Sequence, residues 1–339
     1  MPFARRILPV FLLILILAWN AGAESYIMPH LMGGNEQLSG AKPLFPSAFF
    51  NSYLEKQDAG DSARPYWAAS EAESNALSFI ASEESILLNN DILAFYGHPR
   101  SRNMGILGRY TKVELNAMLD ALAAEYEEAG GRKIRKAFYL IYGTAWPEGE
   151  IGIIQESLLR EYVEFALEHN ILVFIDHQIG KYEPEDSIRL MLPWLKYPNV
   201  HLALDPEWRT TKPMVEIGTV SADELNRVQR IMEDYMVENK IPGERLLVIH
   251  QFKYGMISSR DKVLSNFTKV RLVHCADGFG NPQVKRSSYA SNAQAVNMPV
   301  KGFKLFFNFE IPGAGYDYPL LSPREVFQLN PRPYIIMYQ

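Results

Sequence analysis

Val200-His201-Leu202-Ala203-Leu204-Asp205-Pro206-Glu207-Trp208 is an apolar run that turns polar at its end. Five residues suited to a buried strand lead directly into two carboxylates and an indole. Side chains of a strand alternate between its faces, so Ala203, Asp205 and Glu207 share one side while Leu202 and Leu204 share the other. The two leucines form the natural packing face for helices. That turns both acids the opposite way, toward the interior of whatever sheet the strand belongs to.

Seven other runs follow the same pattern. They begin near Asp91 (DILAFYG), Arg135 (RKAFYLIYG), Ile171 (ILVFIDHQ), Arg245 (RLLVIHQF), Lys269 (KVRLVHCAD), Gly302 (GFKLFFNFE) and Arg332 (RPYIIMYQ). Amphipathic stretches lie between them at 111–129, 156–169, 184–196 and 221–239, the last opened by the capping-box pair Ser221 and Glu224. Eight alternations of strand and helix predict an α/β fold of the (β/α)8 TIM-barrel type. The 249 residues from Asp91 to Gln339 match the size of such a barrel, about 250 residues. An open doubly wound sheet is the rival, but Gly97-His98-Pro99-Arg100 is not the glycine-rich phosphate turn expected after its first strand.

The eighth strand runs to Gln339, leaving no helix after it. The stretch 70–89, with Ser70 and Glu73 as a capping box and Ala76, Leu77, Ile80, Ile86 and Leu87 on one face, is expected to replace that helix. Before it, 24–69 is rich in Gly, Pro, Ser and Asn without a period and reads as an extended lead-in. Met1 to Arg6 carries two arginines, Ile7 to Trp19 is an apolar run of 13 residues, and Ala21-Gly22-Ala23 supplies small residues for cleavage. This is the pattern of a secretory signal peptide over 1–23, followed by a barrel domain over 70–339. Thirteen residues rise only about 20 Å as a helix, short of a bilayer core of about 30 Å. The expectation is a secreted or periplasmic protein with no stable membrane span after cleavage.

Composition narrows the function. With 47% hydrophobic, 22% charged and 12% aromatic residues the 339-residue chain is an ordinary folded protein. A formal charge of -5 offers no basic surface for a phosphate backbone, so nucleic acid is not an expected partner. A carbohydrate, or another neutral small molecule or polymer, suits the composition better. Cys275 is the only cysteine, which excludes an intramolecular disulfide framework and a multi-cysteine zinc site.

In a barrel the chemistry sits at the C-terminal ends of the strands. Read there, strand one offers Tyr96 and His98, strand two Tyr142, strand three Asp176 and Gln178, and strand four Asp205, Glu207 and Trp208. Strand five offers His250 and Gln251, strand six Asp277, and strand seven Asn308 and Glu310, which alternation groups with Phe306. Several acids in one mouth should raise at least one pKa through like charge and burial. An acid kept protonated beside one kept ionised is what glycosidic cleavage requires.

Leu204-Asp205-Pro206-Glu207 resembles the Asp-x-Glu that ends the fourth strand in secreted bacterial barrel glycoside hydrolases of the lysozyme-like muramidase and chitinase kinds. The resemblance implies that Glu207 is the general acid and that Asp205 orients or polarises the substrate. Glu310 stands where a large clan of retaining glycosidases keeps its nucleophile. Strand four lacks that clan's Asn-Glu pair and the chitinases' longer run of aspartates. The expected catalytic set is Glu207 and Asp205, with Glu310 or Asp176 as second carboxylate.

Two other readings stand beside this one. A carbohydrate-binding barrel could keep the mouth without catalysis. His98, His250 and His274 fall on the strands that supply metal ligands in amidohydrolase barrels, but that family's His-x-His reads Tyr96-Gly97-His98 here and strand eight has no Asp. No metal and no cofactor is therefore expected. No Gly-x-Ser-x-Gly elbow supports a serine nucleophile.

Overall fold

The computed structural model describes residues 86–130 and 132–339. The signal-peptide pattern of 1–23, the lead-in of 24–69 and most of the expected helix over 70–89 lie outside them.

Eight parallel strands close into a barrel. They are β1 (Asn90–Gly97), β2 (Lys133–Ala145), β3 (Leu172–His177), β4 (Val200–Leu204), β5 (Arg245–Gln251), β6 (Val270–Ala276), β7 (Lys301–Leu305) and β8 (Ile335–Tyr338). Each pairs with its neighbours in chain order, and β1 pairs with both β8 and β2, which removes every free edge of the barrel. A short strand, Ile151–Ile153, adds antiparallel to the end of β2.

Around the barrel lie α1 (Ile86–Asn89), α2 (Lys112–Gly130), α3 (Glu156–Glu168), α4 (Pro184–Met191), α5 (Ala222–Glu238), α6 (Pro282–Ala293) and α7 (Pro323–Phe327). The expected capping box at Ser221 is formed: its hydroxyl accepts from Glu224 N and the Glu224 carboxylate accepts from Ser221 N. Among the described residues no helix is long and apolar enough to cross a membrane.

Period-two alternation sorts the strand residues into two cores. Leu93, Phe95, Phe138, Leu140, Val173, Ile175, Leu202, Leu204, Leu247 and Ile249 pack outward on the helices. Ile92, Ala94, Tyr96, Tyr139, Phe174, Ala203, Val248, Cys275 and Met337 fill the interior, where Tyr139 and Phe174 stack with ring centres 5.0 Å apart. Bulky residues packed in layers make the barrel a solid core, open to chemistry only at its ends.

Of the helix expected over 70–89, the described part is its last turn, α1. Ile86 is buried there with the interior cluster, at the N-terminal end of the barrel. The outer faces of β8 and β1 meet α2 and α7. The Tyr126 hydroxyl lies 2.8 Å from that of Tyr338, and the Tyr126 ring meets Phe327 edge-on at 5.3 Å. At the same end as Ile86, buried Asp91 pairs with Arg132 at 3.0 Å and with Arg332.

Candidate functional site

The C-terminal ends of β3 to β7 bring one buried polar cluster together. Asp176, the last inward residue of β3, accepts a hydrogen bond from the Tyr96 hydroxyl at 2.9 Å. His250, inward on β5, has Nε2 2.8 Å from the Tyr139 hydroxyl and 3.8 Å from Asp176 Oδ2. Its Nδ1 lies 2.9 Å from Asp277 Oδ2, an ion-pair contact outside good hydrogen-bond alignment. Asp277 in turn stands 3.5 Å from Lys304 Nζ, and that ammonium sits 3.8 Å from the centre of the Tyr96 ring.

Asp205 and Glu207 complete the cluster. Leu204 is the last paired residue of β4; Asp205 stays extended, and Pro206–Trp208 forms a 3-10 turn. The turn, rather than strand alternation, therefore places Glu207. Asp205 is buried, accepts from Trp208 Nε1 at 3.1 Å through Oδ2, and among the described residues has no hydrogen-bond partner at Oδ1. Among the described residues Asp176 Oδ1 is likewise buried without a hydrogen-bond partner. Glu207 is half-buried, the one acid of the set that meets solvent appreciably.

Burial and mutual charge split these acids into two kinds. Burial by itself would raise the Asp277 carboxyl, but the Lys304 ammonium and His250 hold it below the ordinary carboxylate range. Burial also opposes charge on His250, yet Asp176 and Asp277 outweigh it and keep the imidazole protonated well above its usual range. Lys304 is held above its ordinary value too, because Asp277, Asp205, Asp176 and Glu207 overcome its desolvation. Burial, reinforced by Asp277 and Asp176, pushes Asp205 up to about 7 against the pull of His250 and Lys304. Burial and the neighbouring Asp205 and Asp277 raise Glu207 well above the carboxylate range. Asp176 is raised by burial and restrained by His250, Lys304 and the Tyr96 hydroxyl. The result is a fixed pair of cations, an Asp277 held toward its ionised form, and three acids whose protons are held more tightly than usual, Asp205 up to about 7.

Asp176, Asp205, Glu207, Tyr96, Trp208, His250 and Asp277 are thus gathered as expected residues of one mouth. The other expected residues are placed elsewhere. Tyr142 packs in the outer core and donates to Leu190 O at 3.2 Å, as plain alternation from inward Tyr139 and Ile141 requires. Gln178 accepts from Ala145 N at 2.8 Å and ties the end of β2. Gln251 turns away from His250: its amide donates to Lys253 O and Tyr254 O, and its oxygen lies 2.7 Å from His274 Nε2. His98 accepts from Arg100 N, is lowered to about 4 by burial, and lines a groove with Arg100, Thr144, Trp146 and Gln155 that contains none of the acids.

Strand seven departs most from expectation. Its backbone pairing runs out at Phe307, whose N–H donates to Gln339 O at 2.9 Å, so alternation does not extend to Asn308 and Glu310, which are exposed. Glu310 has φ 57° in a turn where Asn308 Oδ1 accepts from its N–H. The inward residue of β7 is Lys304, which the sequence reading passed over. Its signal was a lone lysine inside Gly302-Phe303-Lys304-Leu305-Phe306, on the same face as Phe306.

The three histidines of the metal reading diverge. His250 is inward, His98 lies in the β1 loop, and His274 points outward, its Nδ1 3.2 Å from Lys301 Nζ. Among the described residues no group of three or more His, Cys, Asp or Glu is arranged to hold a metal ion.

No protein-family model matches the chain, and no curated protein matches it in sequence. Solved structures that resemble it include oxaloacetate acetylhydrolase in complex with oxalate, at 13% identity over 78% of this chain and 80% of that one, with a TM-score of 0.47. A family 18 chitinase from Crocus vernus matches at 7% identity over 73% of this chain and 92% of that one, TM-score 0.42. A GH138 enzyme targeting pectin rhamnogalacturonan II matches at 11% identity over 73% of this chain and 34% of that one, TM-score 0.41.

Proposed function

We propose that this protein is an exported glycoside hydrolase-like enzyme that cleaves an extracellular or cell-envelope polysaccharide by carboxylate acid-base catalysis. The observation that carries the reading is the contrast among the acids. Glu207 is half-buried and raised by burial and by the charges of Asp205 and Asp277, which are themselves buried. A protonated acid at the opening can give its proton to a leaving glycosidic oxygen. Asp277, held ionised by Lys304 and His250, supplies the negative charge that can stabilise the positive charge developing on the sugar ring.

In this account Glu207 is the general acid and Asp205 its electrostatic partner. Asp176 is the second carboxylate, because Glu310 lies exposed in a turn beyond the end of β7. Tyr96 orients Asp176 by its hydrogen bond, and Trp208 orients Asp205. Export rests on the basic, apolar and small-residue pattern of 1–23.

The experiment is reducing-end release from a panel of polysaccharides by the purified mature chain. Release supports the enzyme. Binding to a polysaccharide without release favours a carbohydrate-binding barrel, and metal-dependent release abolished by chelator would refute the carboxylate mechanism.

A further inference from the structure

Two loops at the mouth carry three exposed aromatic side chains. Phe279 follows Asp277 by two residues and is 56% exposed; Tyr316 and Tyr318 are 43% and 74% exposed. An unsupported loop could turn such rings inward, but these loops are tied from beneath. Asp317, buried between the two tyrosines, accepts from Gly280 N at 2.9 Å and from Phe306 N at 3.0 Å. Its own N–H donates to Phe306 O at 2.9 Å. Lys285 Nζ stands 3.2 Å from Asp317 Oδ2 and donates to Gly278 O and Lys304 O.

The Phe279 ring is held by its neighbours as well. It meets Phe306 edge-on at 5.9 Å, and a Cβ at Gly315 would come within 2.3 Å of its Cζ, so the 315 backbone rests directly against the ring. A buried ion pair that ties the loops carrying exposed rings spends burial on rigidity, which suits a binding surface better than a folding core.

We infer that Phe279, with Tyr316 and Tyr318, forms a stacking shelf for an uncharged pyranose face of a polysaccharide chain entering the mouth. The inference rests on the carbohydrate reading of the acid cluster and names where the chain lies beyond it. Aromatic faces stack on apolar sugar faces, and tyrosine adds a hydroxyl at the wet edge. The Lys285 ammonium is consumed by Asp317 and two carbonyls, so the shelf offers the chain apolar surface rather than charge. Continuity is given by the backbone: Asp277 and Phe279 are two residues apart on the loop after β6, and Lys304, near the end of β7, lies two residues before Phe306.

The test is pull-down of the full mature chain with insoluble chitin, cellulose and peptidoglycan sacculi, using Glu207→Gln as background so that turnover does not interfere. The background protein is expected to bind at least one of them. Adding Phe279→Ala should weaken that binding roughly 3- to 10-fold, as expected for loss of one aromatic contact, with the melting temperature unchanged. Phe279→Trp should restore it. Unchanged binding in the Ala variant, or no binding of the background to any of the three, overturns the shelf. Reducing-end release with unchanged Phe279→Ala binding would sink the shelf alone; shelf-dependent binding without release would sink catalysis alone.

Discussion

Asp277 Oδ2 stands 2.9 Å from Nδ1 of His250, deep in the barrel mouth. The contact couples the acid that closes β6 to the inward histidine of β5 and fixes a charge on each. Both charges act on Asp205 and Glu207: Asp277 raises them and His250 lowers them, while burial has the largest effect. The protonation of the mouth is thus a property of the whole cluster, and each member can be perturbed separately.

Asp205 links this arrangement to stability. Its folded pKa of about 7 lies above the ordinary value of 3.8, so its contribution is fully present below the latter and is lost as pH rises through the former. His250, raised above 6.5, acts in the same direction at higher pH. The melting temperature should therefore fall between about pH 5 and about pH 8. Asp205→Asn, which cannot ionise, should flatten that slope and gain up to about 4 kcal/mol relative to the native chain at the alkaline end. Identical slopes for the two proteins in a pH series of thermal melts would show that Asp205 is not the buried acid described here.

Lys304 is a cation inside an acid cluster, and its removal leaves Asp277 paired with His250 alone. Lys304→Met should destabilise by about 3 kcal/mol in denaturant titration, the usual cost of stranding a buried charge. Because Lys304 lowers Asp205 and Glu207, the alkaline limb of the pH-rate profile should also move upward. A variant with native stability and an unmoved limb would place Lys304 outside the network.

The two candidates for the second carboxylate, Glu310 and Asp176, separate in a rate measurement. Glu310→Gln should leave reducing-end release unchanged, since Glu310 is exposed in a turn. Asp176→Asn should lower it by about 10²-fold or more. Equal losses would restore Glu310 to the mechanism.

Closure of the barrel between β8 and β1 has its own test. Tyr126→Phe removes the partner of the buried Tyr338 hydroxyl and should cost about 1 to 3 kcal/mol. A neutral substitution would mean that the Tyr126–Tyr338 contact does not hold α2 to the seam.

Much of this was legible in the sequence because strand alternation is a local rule. From Leu202 and Leu204 outward it follows that Ala203 and Asp205 face in, and the same rule orients Asp176 and His250. Applied from Tyr139 it also turns Tyr142 outward, and applied from His250 it turns Gln251 outward; reading polar residues by position alone missed both. The remainder depends on where strands stop. Backbone pairing after β7 stops at Phe307, a tertiary fact that no alternation in Phe306-Phe307-Asn308-Phe309-Glu310 reveals. Glu207 reaches the mouth through the Pro206–Trp208 turn, so its expected place was reached by a different route. Lys304 was hidden because only polar residues at the ends of the runs were read and it lies inside Gly302-Phe303-Lys304-Leu305-Phe306, while its partner Asp277 arrives from a separate strand.

The central claim is that Glu207 delivers a proton to a leaving oxygen. Its most direct test is the rate of reducing-end release by Glu207→Gln, measured beside polysaccharide binding and the melting temperature. Gln keeps the size and hydrogen-bonding shape of the side chain but cannot donate that proton. The account predicts a loss of about 10² to 10⁴-fold or more in rate, with binding and melting temperature nearly unchanged. Retained release in this variant, or a large drop in melting temperature that carries binding away with it, would contradict the claim and leave the acids as structural ties at the barrel mouth.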